Sequence, residues 1–478
     1  MSDTNRLSGD MDPDEFRHDA HKLVDWIADY YKSIDLYPVL ARVNPGDIKA
    51  ALPAEAPQRG ESFDEILADV ERVLMPGITH WNHPGFFAYF AITGSGPGVL
   101  ADLLSSALNV QAMLWRTSPS ATELEEVSLS WLRTLLGLPD TFEGAIYDTA
   151  SISTLHALAA ARQAAVPHVR VAGLANAPRL RVYGSEHAHS SVDKAVILLG
   201  LGHESLRRIE CDDEFRMIPQ ALELAIEEDR TAGWLPIAAV ATVGTTSTTS
   251  IDPVNDIAAI CQAQGIWLHV DAAYAGAAAM VPGYEWILAG AHRADSLVVN
   301  PHKWLFTPFD LSAFYCRRMD LVREAFALTP DYLKTVESAP VRNLMDTGIQ
   351  LGRRFRSLKL WMVLRHFGAD GIRQRLQEHM RLASLFASWV DASTEFVRVA
   401  PVPFSVVCFR AEGDDAFNER LLDAVNAGGE VFLSHTRVQD RYTLRLAIGN
   451  LRTTEAHVGR AWALLQEIAL QLRSQVQP

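Results

Sequence analysis

Apolar residues recur at helical spacing through DPDEFRHDAHKLVDWIADYYKSI, residues 12–34, with acidic residues at the front and a proline in YPVL just beyond. SFDEILADVERVL, residues 62–74, repeats the pattern, and Ser62 followed by Glu65 is a capping-box arrangement. The first 80 or so residues therefore read as helices joined by turns, and the Pro/Gly-rich MPGITHWNHPGFFAYF ends that stretch. From about 86 to 320 the texture changes. Short β-branched runs (RLRVYG, IAAVATV, GIWLHVDAA, DSLVVN, LSAFYC) alternate with Ala/Leu-rich helical stretches such as DIAAICQAQG and the run from Ser153 to Ala165. This alternation predicts a largely parallel sheet with helices on both faces. Beyond the helix at RSLKLWMVLRHF, the tail mixes strands (FSVVCFR, YTLRLAIG) with helices (ERLLDAVNAGG, EAHVGRAWALLQEIALQLRS), as expected of a smaller α+β lobe.

Length and charge narrow the picture. A chain of 478 residues exceeds one compact core, so two or three lobes are expected. The segments divide as 1–85 helical, 86–370 α/β and 371–478 α+β. A net charge of −15 argues against a nucleic-acid partner. No apolar run approaches the roughly 20 residues that span a bilayer, so no membrane partner is expected. The start, MSDTNRLSGDMDPDEF, lacks the apolar core of a secretory signal. Cys211, Cys261, Cys316 and Cys408 are too scattered for a disulfide framework or a metal cluster. These features point to the cytoplasm.

In open parallel sheets, ligands sit beyond the carboxyl ends of the strands. IWLHV ends in Asp271, and SLVV ends in Asn300-Pro301-His302-Lys303. An acid and an amine on one rim could form a simple ion pair, but other segments converge there. TASIST, residues 149–154, opens a helix with small hydroxyl residues and free N–H groups, a phosphate-sized anion site. GTTSTTSID follows IAAVATV with further hydroxyls, and SEHAHSS follows RLRVYG with His187 and His189. A Schiff-base amine, a carboxylate, a flat imidazole and an anion cradle together suit pyridoxal 5'-phosphate.

HPGFFAYF, TSPSATELE, EHAHSSVDKA, VATVGTT, HVDAAYAG, VNPHKWLFTPFD and LGRRFRSLK give the chain a resemblance to the group II pyridoxal-phosphate decarboxylases, aromatic-L-amino-acid decarboxylases above all. The resemblance runs over nearly the whole chain. It implies the α/β fold type I of pyridoxal-phosphate enzymes, with a mostly parallel seven-stranded sheet. It also implies a homodimer with shared active sites, and an N-terminal helical segment that packs across it. By position, it makes Lys303 the Schiff-base lysine, Asp271 the partner of the pyridine nitrogen and His189 the imidazole stacked on the ring. It sets Ala273 on the opposite ring face, Ala150 and Ser151 at the phosphate with help from Thr246 and Asn300, and His302 near the phosphate or the substrate.

Trp81, Phe86, Phe90, Trp304 and Phe309 cluster around these motifs. Aromatic residues near a sheet edge are usually core, yet Trp81, Phe90, Trp304 and Phe309 suggest a pocket for a planar side chain. A glutamate-specific relative would need a cationic group for the side-chain carboxylate, and the stretches around these aromatics offer no arginine beyond Arg116. The favoured reaction is decarboxylation of an aromatic amino acid (phenylalanine, tyrosine, dihydroxyphenylalanine or tryptophan) to its amine. Arg445, in LRLAIG, reads as structural.

Two departures from the family pattern stand out. Asp148 precedes the phosphate segment, where its charge would repel unless its side chain turns away. The loop before LGRRFRSLK normally supplies a tyrosine that protonates the α-carbon, and KTVESAPVRNLMDTGIQ has none. Thr347 or Leu344 stands nearest to that place, and Tyr332 matches a different position. Relatives without that tyrosine tend toward oxidative deamination to an aldehyde. That product, and a catalytically silent scaffold, are the alternative readings.

Overall fold

The computed structural model describes residues 10–328 and 340–475. The chain gathers into two compact units. One comprises the stretch up to Phe86, Asp423–Phe432 and the chain from Arg452 onward; the other comprises Phe87–Leu422 and Leu433–Leu451. By compactness, the tail from residue 371 is thus divided between the two units.

The first unit is helical. Its helix α1, Pro13–Lys32, starts on Asp12, whose side chain accepts the N–H groups of Asp14 and Glu15. Helix α2, Phe63–Asp69, carries the capping box expected from sequence: Ser62 accepts the Glu65 N–H, and the Glu65 carboxylate accepts the Ser62 N–H. The C-terminal helix is Glu455–Ser474.

The second unit holds a seven-stranded sheet of β1 Glu143–Tyr147, β2 Arg179–Ser185, β3 Leu206–Ile209, β4 Trp234–Thr242, β5 Trp267–Asp271, β6 Ser296–Val299 and β7 Ser312–Cys316. The spatial order is β1-β7-β6-β5-β4-β2-β3. Only β7 runs against its neighbours; the β3–β2–β4–β5–β6 pairings are parallel. Leu297, Val298 and Val299 are wholly buried, as expected of a central parallel strand covered on both faces.

Helices α3, Pro119–Leu135, and α4, Ala150–Ala165, pack on this sheet. Helix α5, Ser357–Asp391, is broken at Gly368, whose φ of 63° an L side chain adopts poorly. The strands β8 Phe396–Arg398, β9 Val406–Ala411, β10 Phe432–Val438 and β11 Arg441–Ala447 form an antiparallel ladder in the order β10-β11-β9-β8. Among the described residues no helix is long and apolar enough to cross a membrane, and no cluster of His, Cys, Asp and Glu could hold a metal.

Candidate active site

The chemistry-bearing residues share one edge of the large sheet because the parallel strands all end there. Thr242, the last residue of β4, lies level with Asp271, the last of β5, and Asp271 is level with Val298. The chain then turns through Asn300, whose N–H donates to the Ala273 carbonyl at 2.9 Å, while the Lys303 N–H donates to the Asn300 carbonyl at 2.9 Å. Asp271 Oδ1 accepts the Ala273 N–H at 3.1 Å, which leaves Oδ2 to meet a donor. Its negative charge bears on both Lys303 and His189.

Burial depresses the Lys303 pKa, Asp271 opposes the shift, and the guanidinium of Arg445 adds to it. Among the described residues the Lys303 amine makes no hydrogen bond, and it lies 5.0 Å from the centre of the Phe90 ring. An amine so placed gives up its proton readily and is left nucleophilic. His189 is likewise pushed down, first by burial and then by Lys303, against the pull of Asp271. Its Nδ1 accepts the Ser191 N–H at 3.1 Å, so the neutral ring carries its proton on Nε2. His187 instead sets its ring edge-on to Phe215, 5.5 Å away. His302 is held down to about 3 by burial and by Lys303; its Nδ1 accepts the Leu311 N–H at 2.8 Å, which makes Nε2–H a fixed donor.

The start of α4 reaches the same edge. Ser153 Oγ lies 2.9 Å from Ser312 Oγ at the start of β7, next to the Ala313–Val299 pair. No side chain caps α4, and the half-buried Ala150 and Ser151 stand in its first turn, where backbone N–H groups lack helical partners. Asp148 is turned back on its own turn: its carboxylate accepts the Thr149 N–H at 2.6 Å and the Thr149 hydroxyl at 3.2 Å. Thr246 is exposed, whereas the neighbouring Thr245, Thr248 and Ser250 hydroxyls bond to one another or to the turn's backbone.

The four pocket aromatics part company. Phe90 faces two basic groups: the Lys303 amine, and Arg445, whose Cζ lies 4.6 Å from the ring centre. Phe309 is 60% exposed, and its ring lies 4.8 Å from that of His302. Trp304 exposes no surface and donates its Nε1–H to His379 Nδ1 at 3.0 Å, so it packs behind the site rather than facing a ligand. Trp81 belongs to the other unit, where it stacks on Phe86 at 4.4 Å.

Sequence reasoning missed Tyr274, although it sits inside HVDAAYAG. Its ring stacks 3.9 Å from Phe90 and 4.8 Å from Trp304, and His379 passes the line on to the Asn450 carbonyl at 3.1 Å. Arg445 is buried; its Nε donates to the Ser247 carbonyl at 3.1 Å and Nη1 to that of Tyr89, a bracing role. Leu344 and Thr347 are both buried, and the Thr347 hydroxyl donates to the Leu344 carbonyl. Tyr332 lies outside the described residues.

Whether these residues suit pyridoxal 5'-phosphate can be judged from their unmet bonds. The Lys303 amine has no hydrogen-bond partner among the described residues, and Asp271 Oδ2 is left over. An aldehyde for the amine, a protonated ring nitrogen for the carboxylate and an anion for the α4 turn would use the amine, the carboxylate and the turn's N–H groups. The residues fit the group.

Comparison with known proteins agrees. Residues 45–412 match the model of the pyridoxal-dependent decarboxylase conserved domain. The chain is 40% identical over 474 residues to the aromatic-L-amino-acid decarboxylase of Bos taurus, covering 96% of this chain and 97% of that one. Among solved structures, Oryza sativa TDC with PLP and tryptamine superposes with a TM-score of 0.94 at 36% identity, covering 97% and 99% of the two chains. The 4-hydroxyphenylacetaldehyde synthase of Rhodiola rosea is similar too, with a TM-score of 0.90 at 32% identity over 96% and 99%. The fold is that of these enzymes, the cofactor is pyridoxal 5'-phosphate, and the chemistry is that of a carboxy-lyase. The chain belongs to the family of pyridoxal-phosphate-dependent decarboxylases.

Proposed function

We propose that this enzyme removes CO2 from an aromatic L-amino acid and releases the corresponding amine. The observation that carries the reading is the aromatic wall at the reactive amine: Lys303 lies over Phe90, and Phe90 is backed by Tyr274 and Trp304. A flat apolar side chain suits such a wall.

When bound, pyridoxal 5'-phosphate supplies an aldehyde that captures amines and a ring that takes up the electron pair left by departing CO2. Lys303 is the anchoring amine, and its depressed pKa readies Nζ to give and take a proton. Asp271 Oδ2 would accept the proton of the ring nitrogen. His189 and Ala273 would enclose the ring. Ala150, Ser151, Thr246 and Asn300 would hold the phosphate, with the Nε2–H of His302 as a further donor. Burial of Asp271, Asn300 and His302 keeps water from the charge that develops.

A homodimer completes the reading. Leu100, Leu103, Leu104 and Leu108 are all exposed along one face of the helix Gly96–Leu108, the kind of apolar stripe that a second copy covers. The chain's composition fits a cytoplasmic enzyme.

A second reading has its own support. Neither Leu344 nor Thr347 offers an acidic proton, and an aldehyde synthase stands among the similar structures. Oxidative deamination to the aldehyde is therefore the competing outcome. The test is to give the purified enzyme phenylalanine, tyrosine, dihydroxyphenylalanine and tryptophan in air, and to measure CO2, amine, aldehyde and peroxide. Amine equal to CO2 is expected. Aldehyde and peroxide in place of amine would select the second reading. Unchanged turnover in Lys303→Ala would sink both.

A further inference from the structure

The turn assigned to the phosphate, residues 148–151, is bracketed by two rings. Tyr147 is the last residue of β1, immediately before it, and His156 lies one helical turn beyond it on α4. The rings stack at 4.3 Å with only 13° between their planes, and both are buried. Each carries a hydrogen bond to a distant stretch of chain. The Tyr147 hydroxyl donates to the Thr347 carbonyl, and His156 Nε2 accepts the Ile349 N–H at 3.1 Å. His156 can accept there because its Nδ1–H donates to the Ile152 carbonyl at 2.6 Å, which fixes the tautomer. Between Thr347 and Ile349, Gly348 presses against both rings. A Cβ at Gly348 would lie 2.9 Å from His156 Nε2 and 3.2 Å from Tyr147 Cε1, so only glycine fits without displacing them.

The far side of this stretch is held as well. The Arg353 N–H donates to Gln111 Oε1 at 2.7 Å, the Ala112 N–H donates back to the Arg353 carbonyl at 2.9 Å, and the Met345 N–H donates to Met113 at 3.0 Å. Residues 345–353 therefore form a backing strip fastened at several points. Tyr147 and His156 are where it joins the two elements that flank the turn. Neither ring is needed for the sheet's own pairing.

We propose that Tyr147 and His156 are positioning residues, a stacked staple that fixes the 148–151 turn against residues 347–349 and so sets how firmly the enzyme holds the phosphate of its cofactor. The proposal rests on the reading of Ala150 and Ser151 as the phosphate site. Tyr147→Phe keeps the stack and removes the hydroxyl; His156→Phe keeps a ring and removes both nitrogens. Gly348→Ala leaves both rings intact and crowds them against the strip.

The experiment starts from the holoenzyme of each variant. It follows the loss of bound pyridoxal 5'-phosphate on dilution, the phosphorus resonance of the bound phosphate, and protease cleavage within residues 345–353. Loss of one neutral hydrogen bond should speed cofactor loss roughly fivefold, shift the phosphorus resonance and quicken cleavage. Faster cleavage with cofactor loss within about twofold of the parent would show a strip pinned without reaching the turn, and the proposal would fail. No change in any readout would end it too. Ser151→Glu, which sets a negative charge in the turn itself, separates the two levels. Should it retain the cofactor as firmly as the parent, the phosphate reading is the part at fault and the proposal falls with it.

Discussion

Replacing Arg353 with methionine should destabilise the fold far more than a surface charge change would. The Arg353 guanidinium donates to both oxygens of Glu125, at 3.0 and 3.3 Å, and to the Ile146 carbonyl. Glu125 in turn accepts the Ile146 N–H at 2.9 Å. The exposures are 2% for Glu125 and 8% for Arg353, so solvent screens this pair little. In Arg353→Met the carboxylate stays buried with a single backbone donor, and breaking such a pair from one side costs about 3–5 kcal/mol. That is a large share of a net stability of roughly 5–15 kcal/mol.

Urea unfolding at pH 7 and fixed protein concentration measures the loss. In the double variant Glu125→Leu, Arg353→Met neither charge remains, and most of the loss should return. A single variant within about 1 kcal/mol of the parent would refute the pairing argument.

Two further outcomes follow from other buried groups. Burial holds His156, His269 and His379 at about 4 in the folded chain, below the ordinary 6.5, so the unfolded chain takes up protons first as pH falls. Each should remove up to about 3 kcal/mol of stability between pH 6.5 and 4, and a flat unfolding midpoint down to pH 5 would contradict this. Trp304→Phe strips His379 Nδ1 of its donor in a sealed core and should cost roughly 2 kcal/mol, read from thermal unfolding; a neutral effect would mean that water reaches the gap.

What could be read from the sequence depended on how local its cause was. The Ser62–Glu65 capping box spans one turn, and the helix Glu455–Ser474 carries its own periodicity, so both were legible. The strands ending in Asp271 and Val299 were legible because parallel strands buried on both faces are continuous apolar runs. Strand β1, EGAIY, opens with Glu-Gly-Ala, and β3, LRRI, has two arginines in four residues; neither looks like a strand without its neighbours. In β10, FLSHTRV, the polar residues hide the pattern in the same way.

The site divides along the same line. Asp271 announces itself by closing one strand and Lys303 by standing just past the end of another. Trp304, beside the lysine, invited a pocket role, but its partner His379 is 75 residues away and no local pattern pairs them. Glu125 and Arg353 are 228 residues apart, and their pairing emerges only from the folded chain.

On the proposed function, the run of rings from Phe90 through Tyr274 and Trp304 to His379 forms the rear boundary of the space around the Lys303 amine. With every member seated against the next and the last one tied to a carbonyl, Phe90 has nowhere to retreat when a bulkier guest arrives. If the substrate is aromatic as proposed, an indole and a phenol would meet the same floor. Any preference between them has to be written into the walls and the mouth, which is where changes that retune selectivity should be sought.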